Sequence, residues 1–202
     1  MGNGNRVEMF IAVCAVVSSL IAIFIAWDQG RVMRAQQHGA VYPVLQIDGY
    51  TATSPDMRSF GIRLSNSGVG PALIEDVRLQ VAEGGAERVE QSFRDLPAGA
   101  DLSWAALTGR AVAPGDEIEP LRISWYGDAV SPEAFRKAAL DWGQYEVIVC
   151  YCSVFSRCWQ TRGLGTSRAD PVETCPQGDS DIFESLGILS QTAAPQIDPE
   201  SE

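Results

Sequence analysis

The feature that most constrains this chain is an uncharged apolar run near its beginning, MFIAVCAVVSSLIAIFIAW at residues 9–27. As an α-helix with a rise of ~1.5 Å per residue, this run spans ~28 Å, close to the hydrocarbon thickness of a bilayer. Trp27 at its end suits the aromatic belt of a membrane interface. The alternative is a cleaved signal peptide, which has a shorter apolar run, a more basic start and an A-x-A site. We therefore predict an uncleaved transmembrane anchor.

One face of the predicted anchor carries small residues at alternating spacings of three and four. This spacing lets two helix backbones approach closely in lipid, so it predicts self-association or docking on another membrane protein. The alternative is that alanine is simply common in such helices. The small-residue seam consists of Ala12, Ala15, Ser19, Ala22 and Ala26.

Beyond the anchor, the hydrophobic period changes from helical to alternating, as in VLQID and FGIRLSN. Several short alternating runs, separated by Gly, Pro and Asn turn signals, are typical of an antiparallel β-sandwich. The segment SPEAFRKAALDW predicts one helix, because Ser131 can cap it and Pro132 suits its first position. The predicted fold class is therefore mainly β, with an N-terminal transmembrane helix followed by an antiparallel β-sandwich with one inserted helix.

These signals divide the chain into six predicted segments. The loop GLGTSRADPVET leads from the sandwich into the last part of the chain. The segments are a short N-terminal tail at 1–8, the transmembrane helix at 9–27, a juxtamembrane helix or linker at 28–42, the β-sandwich domain at 43–165, a C-terminal extension with Cys175 and a short helix at 166–190, and a disordered acidic tail at 191–202.

The cysteines carry the clearest chemical signal in the chain. Cys14 lies in the anchor, where we interpret it as a small packing residue, and four cysteines remain in the soluble part. In the run VCYCSVFSRCWQ, Cys150 and Cys152 are two apart on a predicted strand and therefore point to one sheet face. A loop brings Cys158 back opposite Cys152, within disulfide reach after a small adjustment, and Cys150 is then left for Cys175. The even number favours this disulfide pattern.

Two other interpretations of the four soluble cysteines remain open. They could bind zinc as thiolates, although structural zinc sites usually use CxxC knuckles rather than a CxC on a flat strand. They could also be reduced thiols that pack in a cytoplasmic core. The alternative zinc ligands are Cys150, Cys152, Cys158 and Cys175.

Three stretches together resemble a widespread group of uncharacterised bacterial single-pass membrane proteins, namely RVMRAQQHGAVYPVLQI, LSNSGVGPALIEDVRL and YEVIVCYCSVFSRCWQTR. The resemblance covers most of residues 9–162. It implies an N-terminal anchor helix and an immunoglobulin-like β domain, with no established activity. The chain departs from the group by placing cysteines in the hairpin, where a polar or aromatic residue is usual.

The N-S-G-x-G-P-A loop within this resemblance has a physical explanation of its own. Gly68 and Gly70 permit positive φ, and Pro71 cannot donate to a strand ladder. Asn66 can bond its own backbone. The loop therefore predicts strand-end architecture rather than chemistry.

Two signals bear on which side of the membrane the β domain occupies. Arg31 and Arg34 follow the anchor whereas Arg6 precedes it, so the positive-inside rule slightly favours a cytoplasmic domain. Disulfides need an oxidising compartment, which favours the periplasm. We give the four clustered cysteines more weight, and predict a single-pass protein of the bacterial inner membrane with a periplasmic domain; a cytoplasmic domain is the alternative.

Composition disfavours several classes of function. The formal net charge of −11 leaves no basic stripe for phosphates, so we predict no nucleic-acid partner. The single histidine, His38, lies close behind the anchor, which removes most nucleophile–histidine arrangements. Carboxylate pairs such as Asp48 with Asp56, or Asp76 with Glu75, look like solvated surface. We therefore predict no enzyme activity, no cofactor and no catalytic residues.

The remaining prediction is a non-catalytic protein that acts as a scaffold, adaptor or accessory subunit of a membrane complex. Its possible contact surface consists of aromatic residues around the last hairpin, although such aromatics are more often core. The alternative is a small-molecule or envelope sensor, which an apolar cleft lined by converging polar groups would favour. The contact residues are Tyr151, Phe155 and Trp159.

Overall fold

The structure is a computed structural model that describes residues 4–81, 91–165, 168–176 and 181–184. The chain divides into two units, Met1–Ala40 and Val41–Glu202. The predicted tail at 191–202 and most of the predicted short C-terminal helix lie outside the described residues.

The first unit is a single helix, α1, which spans Gly4–Ala40. It extends beyond the predicted anchor on both sides because no proline interrupts the chain before Pro43. Its segment Val7–Arg34 contains an 18-residue stretch with a mean hydropathy of 2.8 and is long and apolar enough to cross a membrane. None of that segment is buried within the structure. The apolar helix of the predicted fold class is therefore present.

In the part of the second unit that the structure describes, two antiparallel sheets pack with an inserted helix, which confirms the predicted mainly-β fold class. The helix α2 spans Pro132–Trp142. Within the described residues the strands are β1 (Leu45–Thr53), β2 (Met57–Asn66), β3 (Ala72–Val81), β4 (Asp101–Trp104), β5 (Ala111–Val112), β6 (Glu117–Tyr126), β7 (Tyr145–Cys152), β8 (Cys158–Arg162) and β9 (Asp170–Val172). The first sheet has the order β1-β2-β6-β4, and the second has the order β5-β3-β7-β8-β9.

The hydrophobic core lies between the two sheets. Alternate residues of β2 and β6 point inward, as the sequence pattern predicts, and they include Phe60, Leu64 and Trp125. Trp125 has no exposed surface, and its indole Nε1 donates to the carbonyl of Pro97 at 3.1 Å. The large aromatic side chain is therefore buried without leaving its polar atom unpaired.

Strand β7 is buried on both faces, which explains its nearly continuous apolar sequence YEVIVCYC. Val147, Val149 and Tyr151 belong to the core between the sheets. Cys150 and Cys152 alternate with them and therefore lie on the opposite, outer face of the second sheet.

The helix α2 packs its apolar face onto the aromatic part of the core. Ser131 caps it, since its Oγ accepts a hydrogen bond from Ala134 N at 3.2 Å, and Pro132 occupies the first turn. The ring of Phe135 lies 6.0 Å from that of Phe60 and 5.9 Å from that of Trp125. The predicted capping residues thus fix the start of α2 over the core.

The sandwich extends beyond the predicted boundary at residue 165. Strand β9 pairs with β8, and Phe183 is fully buried in the core. The Asp181 carboxylate accepts hydrogen bonds from Leu107 N at 2.6 Å, Thr108 N at 2.7 Å and Phe183 N at 2.8 Å. Part of the predicted C-terminal extension therefore belongs to the sandwich, because a buried carboxylate holds it there.

Candidate functional site

Four cysteines form two neighbouring disulfides on the outer face of the second sheet. Cys152 and Cys158 are directly opposite each other in the β7–β8 ladder, with Cα atoms 4.0 Å apart. Cys150 bonds Cys175 with Cα atoms 5.6 Å apart, so the chain after β9 is tied back onto β7. These are the two pairs that the sequence favours. The sulfur atoms of Cys152 and Cys175 lie 3.8 Å apart, so the two disulfides are in contact.

The sulfur atoms are close enough together to make the zinc alternative geometrically reasonable. Those of Cys152, Cys158 and Cys175 lie within 4.8 Å of one another. Zinc binds cysteine as the thiolate, however, and all four cysteines of the β domain are bonded in pairs in this structure. The arrangement is that of a disulfide cross-link, while Cys14 is the free, exposed cysteine of α1.

The predicted contact surface around the hairpin is largely wrong. Tyr151 is fully buried and Trp159 is 7% exposed, so neither is available to a partner, whereas Phe155 is 46% exposed at the hairpin tip. The reason is the strand alternation: if Cys150 and Cys152 face outward, Tyr151 between them must face the core. Trp159 is the ladder partner of Tyr151 and faces the same way.

The two buried aromatics instead attach the start of the domain to the hairpin. The ring of Tyr42 packs edge-on against that of Trp159, with centroids 4.9 Å apart. Leu45 N donates to the Tyr151 hydroxyl at 3.4 Å. Burial raises the pKa of Tyr151 to about 12, so this hydroxyl keeps its proton under ordinary conditions.

The N-S-G-x-G-P-A loop is architecture, but its glycines serve a different purpose from the predicted one. Neither Gly68 nor Gly70 has positive φ. A Cβ at Gly68 would lie 2.4 Å from the carbonyl oxygen of Tyr42, and a Cβ at Gly70 would lie 2.2 Å from that of Val41. Glycine is needed there because the backbone before β1 passes directly over the loop.

The side-chain amide of Asn66 stabilises the point where the backbone before β1 passes over the loop. Both its oxygen and its nitrogen make two hydrogen bonds. It is 1% exposed, and its Oδ1 accepts from Val44 N at 3.2 Å and from Gly68 N at 3.0 Å. Its Nδ2 donates to the carbonyls of Gly70 at 2.8 Å and Val112 at 2.9 Å. One side chain thereby joins the start of β1, the loop after β2 and strand β5.

A cleft of about 410 Å³ opens beside β1 and α2. It was not predicted from the sequence. Core side chains from both sheets line it, together with Trp142 of α2; they include Phe60, Ile62, Leu79, Leu121 and Tyr145. A volume of this size falls within the range of ~300–1,000 Å³ that is typical of binding pockets. The sequence signal that could have found it is β1, whose inward positions change from Leu45 and Ile47 to Gly49 and Thr51.

Tyr50 at the cleft rim belongs to a network of polar side chains on the outer face of the first sheet. Arg122 Nε donates to the Tyr50 hydroxyl at 3.2 Å, and Arg122 also forms an ion pair with Glu119. Arg63 lies 3.3 Å from Glu119 and stacks over the Tyr50 ring at 4.3 Å. Burial raises the pKa of Tyr50, and the hydrogen bond to Tyr50 raises the pKa of Arg122. The network stabilises the outer face of the first sheet.

One of the carboxylates considered from the sequence is not solvated surface. Asp76 is buried, and its Oδ2 lies 2.7 Å from Arg78 Nε without an aligned hydrogen bond. This ion pair lies within a single strand, β3, and we interpret it as structural.

The small-residue seam lies on the exposed surface of α1. Ser19 Oγ donates to the carbonyl oxygen of Ala15 at 2.8 Å, so its hydroxyl is satisfied within the helix and can face lipid at little cost.

No protein-family model matches this chain, and no curated protein or solved structure is similar to it.

Proposed function

We propose that this protein is a membrane-anchored, non-catalytic scaffold or adaptor whose β-sandwich is displayed in the periplasm of a bacterium. The observation that carries the proposal is the combination of an apolar helix with two disulfides in the β domain that follows it. Disulfides persist on the oxidising side of a membrane and are rare in the cytosol. The apolar helix holds the domain at the inner membrane.

Thiol labelling in intact cells tests the location. The experiment uses the Cys14→Ser variant, which lacks the cysteine of α1. In this variant a membrane-impermeant maleimide should label Cys150, Cys152, Cys158 and Cys175 only after reduction. Labelling that needs cell lysis, whether or not a reductant is present, would place the domain in the cytosol. The matched control is a variant with all five cysteines replaced, which should stay unlabelled throughout.

We further infer that the sandwich is immunoglobulin-like. If β1, β2, β3, β4, β6, β7 and β8 are taken as strands A to G, the two sheets read A-B-E-D and C-F-G, which is the immunoglobulin order. Strands β5 and β9 are additions to the edges of the second sheet. The usual inter-sheet disulfide would join B to F, whereas here both disulfides lie on the outer face of one sheet.

The small-residue seam is the proposed contact for self-association or for another membrane protein. Changing Ala15 and Ala22 to Leu would separate the helix backbones and weaken any oligomer in detergent. Changing Val16 and Ile23 to Leu is the matched control, since it keeps large side chains large. An unchanged size distribution for the seam variant by multi-angle light scattering would remove the seam from the proposal.

The cleft geometry favours a scaffold over a small-molecule sensor. A sensor pocket needs a few convergent polar groups to orient its ligand. Tyr50 at the rim is already engaged by Arg122 and Arg63. Among the described residues that line the cleft, the buried Trp142 Nε1 has no hydrogen-bond partner, but a single donor is not a convergent set. The cleft therefore offers an apolar surface beside a strand edge, which suits a polypeptide partner.

A further inference from the structure

The edge strand β1 differs from the other sheet edges of the described domain. The other three edge strands are β4, β5 and β9, with 4, 2 and 3 residues, whereas β1 has 9. Short edge strands, Pro and Lys are devices by which proteins prevent unwanted strand pairing. The segment DGYTAT at the end of β1 contains neither Pro nor Lys. Among the described residues, one long sheet edge thus stays open to pairing.

The outward backbone of β1 is partly bonded within the domain at its start and, among the described residues, unbonded towards its end. On the side away from β2, Leu45 N donates to the Tyr151 hydroxyl, and Ile47 O accepts from Gly165 N at 2.7 Å. Strand alternation turns the backbone groups of Gly49, Thr51 and Thr53 to that same side. Among the described residues none bonds these groups.

The open part of β1 adjoins an apolar groove of matching length. The cleft lies along β1 from Asp48 to Thr51, and a second groove of about 550 Å³ continues it to Thr53. The two share Thr51 and Ala139. Residues 48–53 of an extended strand cover about 17 Å, enough for a partner strand of five to six residues. Alternate side chains of such a partner would enter the groove.

The far end of this groove is positively charged in a chain whose net charge is −11. Arg58 and Arg136 both line it. Arg58 Nη1 donates to the carbonyl of Val130 at 3.0 Å, which fixes the guanidinium. Among the described carboxylates none lies within ion-pair distance of either arginine. The groove end therefore complements an acidic group.

We propose that the groove between β1 and α2 binds an extended peptide segment of a partner protein by strand addition. The partner's backbone pairs with Gly49, Thr51 and Thr53, its alternate apolar side chains enter the cleft, and an acidic side chain or terminal carboxylate contacts Arg58 and Arg136. This inference deepens the proposed scaffold function and rests on it, because it names the class of partner.

The test starts from peptide selection on the full chain in lipid nanodiscs. A random peptide library displayed on phage is depleted on empty nanodiscs and then selected on the protein. Enriched peptides should alternate apolar with other residues and carry an acidic group at one end. They are then synthesised, labelled with a fluorophore, and titrated by fluorescence anisotropy.

Substitution of Thr51 separates backbone pairing from other contacts. Thr51→Pro removes the outward N–H but no bond to β2, and Pro is tolerated at such an edge position. It should weaken peptide binding at least tenfold, whereas Thr51→Val, which keeps the N–H, should change it less than twofold. N-methylation removes a backbone N–H from the peptide. A peptide methylated at the residues whose N–H groups face β1 should lose binding, whereas a peptide methylated at the residues between them should keep it.

Charge variants test the acidic contact. The double variant Arg58→Gln/Arg136→Gln should bind acidic peptides at least fivefold more weakly than the parent protein. It should also reduce the salt dependence of binding. Lys137→Gln on the same helix is the matched control and should have little effect. Urea unfolding of each variant checks that the fold is kept.

Three results would overturn the proposal. The first is a selection that enriches no peptide over empty nanodiscs. The second is a peptide that binds Thr51→Pro and the parent protein equally well. The third is a dimer of the parent protein that Thr51→Pro abolishes, because it would assign the edge to a second copy of this chain. These outcomes are independent of the thiol labelling. Reduced cysteines in the cytosol would refute only the proposed periplasmic location. A failed peptide selection would refute only the proposed peptide binding in the groove.

Discussion

Asn66→Ala is expected to be among the most damaging single changes in the β domain. The substitution leaves the buried carbonyls of Gly70 and Val112 without their donor, and it removes the acceptor of Val44 N and Gly68 N. An unsatisfied buried polar group costs ~1–3 kcal/mol, but the two N–H groups are only partly buried and water can replace their partner. We therefore expect a loss of about 3 kcal/mol in the free energy of unfolding.

The assay is urea unfolding of the full chain in mild detergent, followed by the fluorescence of the buried tryptophans. The midpoint should fall while the m-value stays constant, because the loss is in stability and not in compactness. In thermal unfolding, ~2–4 °C per kcal/mol predicts a fall of roughly 6–12 °C. Ser67→Ala is the matched control, since the Ser67 hydroxyl donates to Gln46 on the exposed surface and its loss should cost under ~0.5 kcal/mol, while the backbone bond from Ser67 N to Val44 O is kept.

Asn66→Asp distinguishes the donor half of the amide from the acceptor half. The carboxylate keeps the contacts with Val44 N and Gly68 N but faces the carbonyls of Gly70 and Val112. Burial and those carbonyls would raise its pKa in the folded state above the unfolded value of ~3.9. Its stability relative to the parent should therefore fall as pH rises from about 4 towards neutrality. Equal costs for Asn66→Ala and Ser67→Ala would refute the reasoning.

The disulfides and Tyr151 give two further predictions. Loop closure over sequence separations of 25 and 6 predicts that the double variant Cys150→Ser/Cys175→Ser loses about 3.5 kcal/mol and Cys152→Ser/Cys158→Ser about 2 kcal/mol. Urea unfolding of the two variants side by side measures the order, which equal losses would contradict. Burial raises the pKa of Tyr151 to about 12, so ionisation of the unfolded tyrosine near ~10 should reduce stability as pH rises from ~10 to ~12. An absorbance titration should show a tyrosine with a pKa of about 12 that is missing in Tyr151→Phe. The same titration of this tyrosine in both proteins would contradict the assignment.

Much of the fold follows from local sequence signals. Strand alternation predicts β2 and β6, and the capping residue Ser131 with Pro132 predicts the start of α2. The CxC spacing and the hairpin after it lead to the observed cysteine pairs. Each of these features depends on neighbours within one strand, one helix turn or one hairpin, except the Cys150–Cys175 pair, which follows because these two cysteines are left once Cys152 is paired with Cys158.

The features that the sequence did not reveal depend on residues far apart in the chain. Asp181 bonds Leu107 N and Thr108 N more than 70 positions earlier, and no local pattern distinguishes it from a solvated aspartate. The glycines of the N-S-G-x-G-P-A loop were predicted for positive φ, but Gly70 is needed because the backbone at Val41 passes within 2.2 Å of its Cβ position. Such close approaches exist only once both segments are in place.

Strand β1 shows how one element can be both structural and open to a partner. Its first half places Leu45 and Ile47 in the core, and two of its outward backbone groups, Leu45 N and Ile47 O, are bonded within the chain. Its second half has Gly49 and Thr51 at the inward positions, so it contributes little to the core and leaves the cleft beside α2. This second half still pairs with β2 through Thr53, because the hairpin that joins the two strands places Thr51 opposite Phe60 of the core. Pairing with β2 uses only one side of β1. Its last residues therefore support the core strand β2 while their outward backbone groups, among the described residues, stay open to the proposed partner strand.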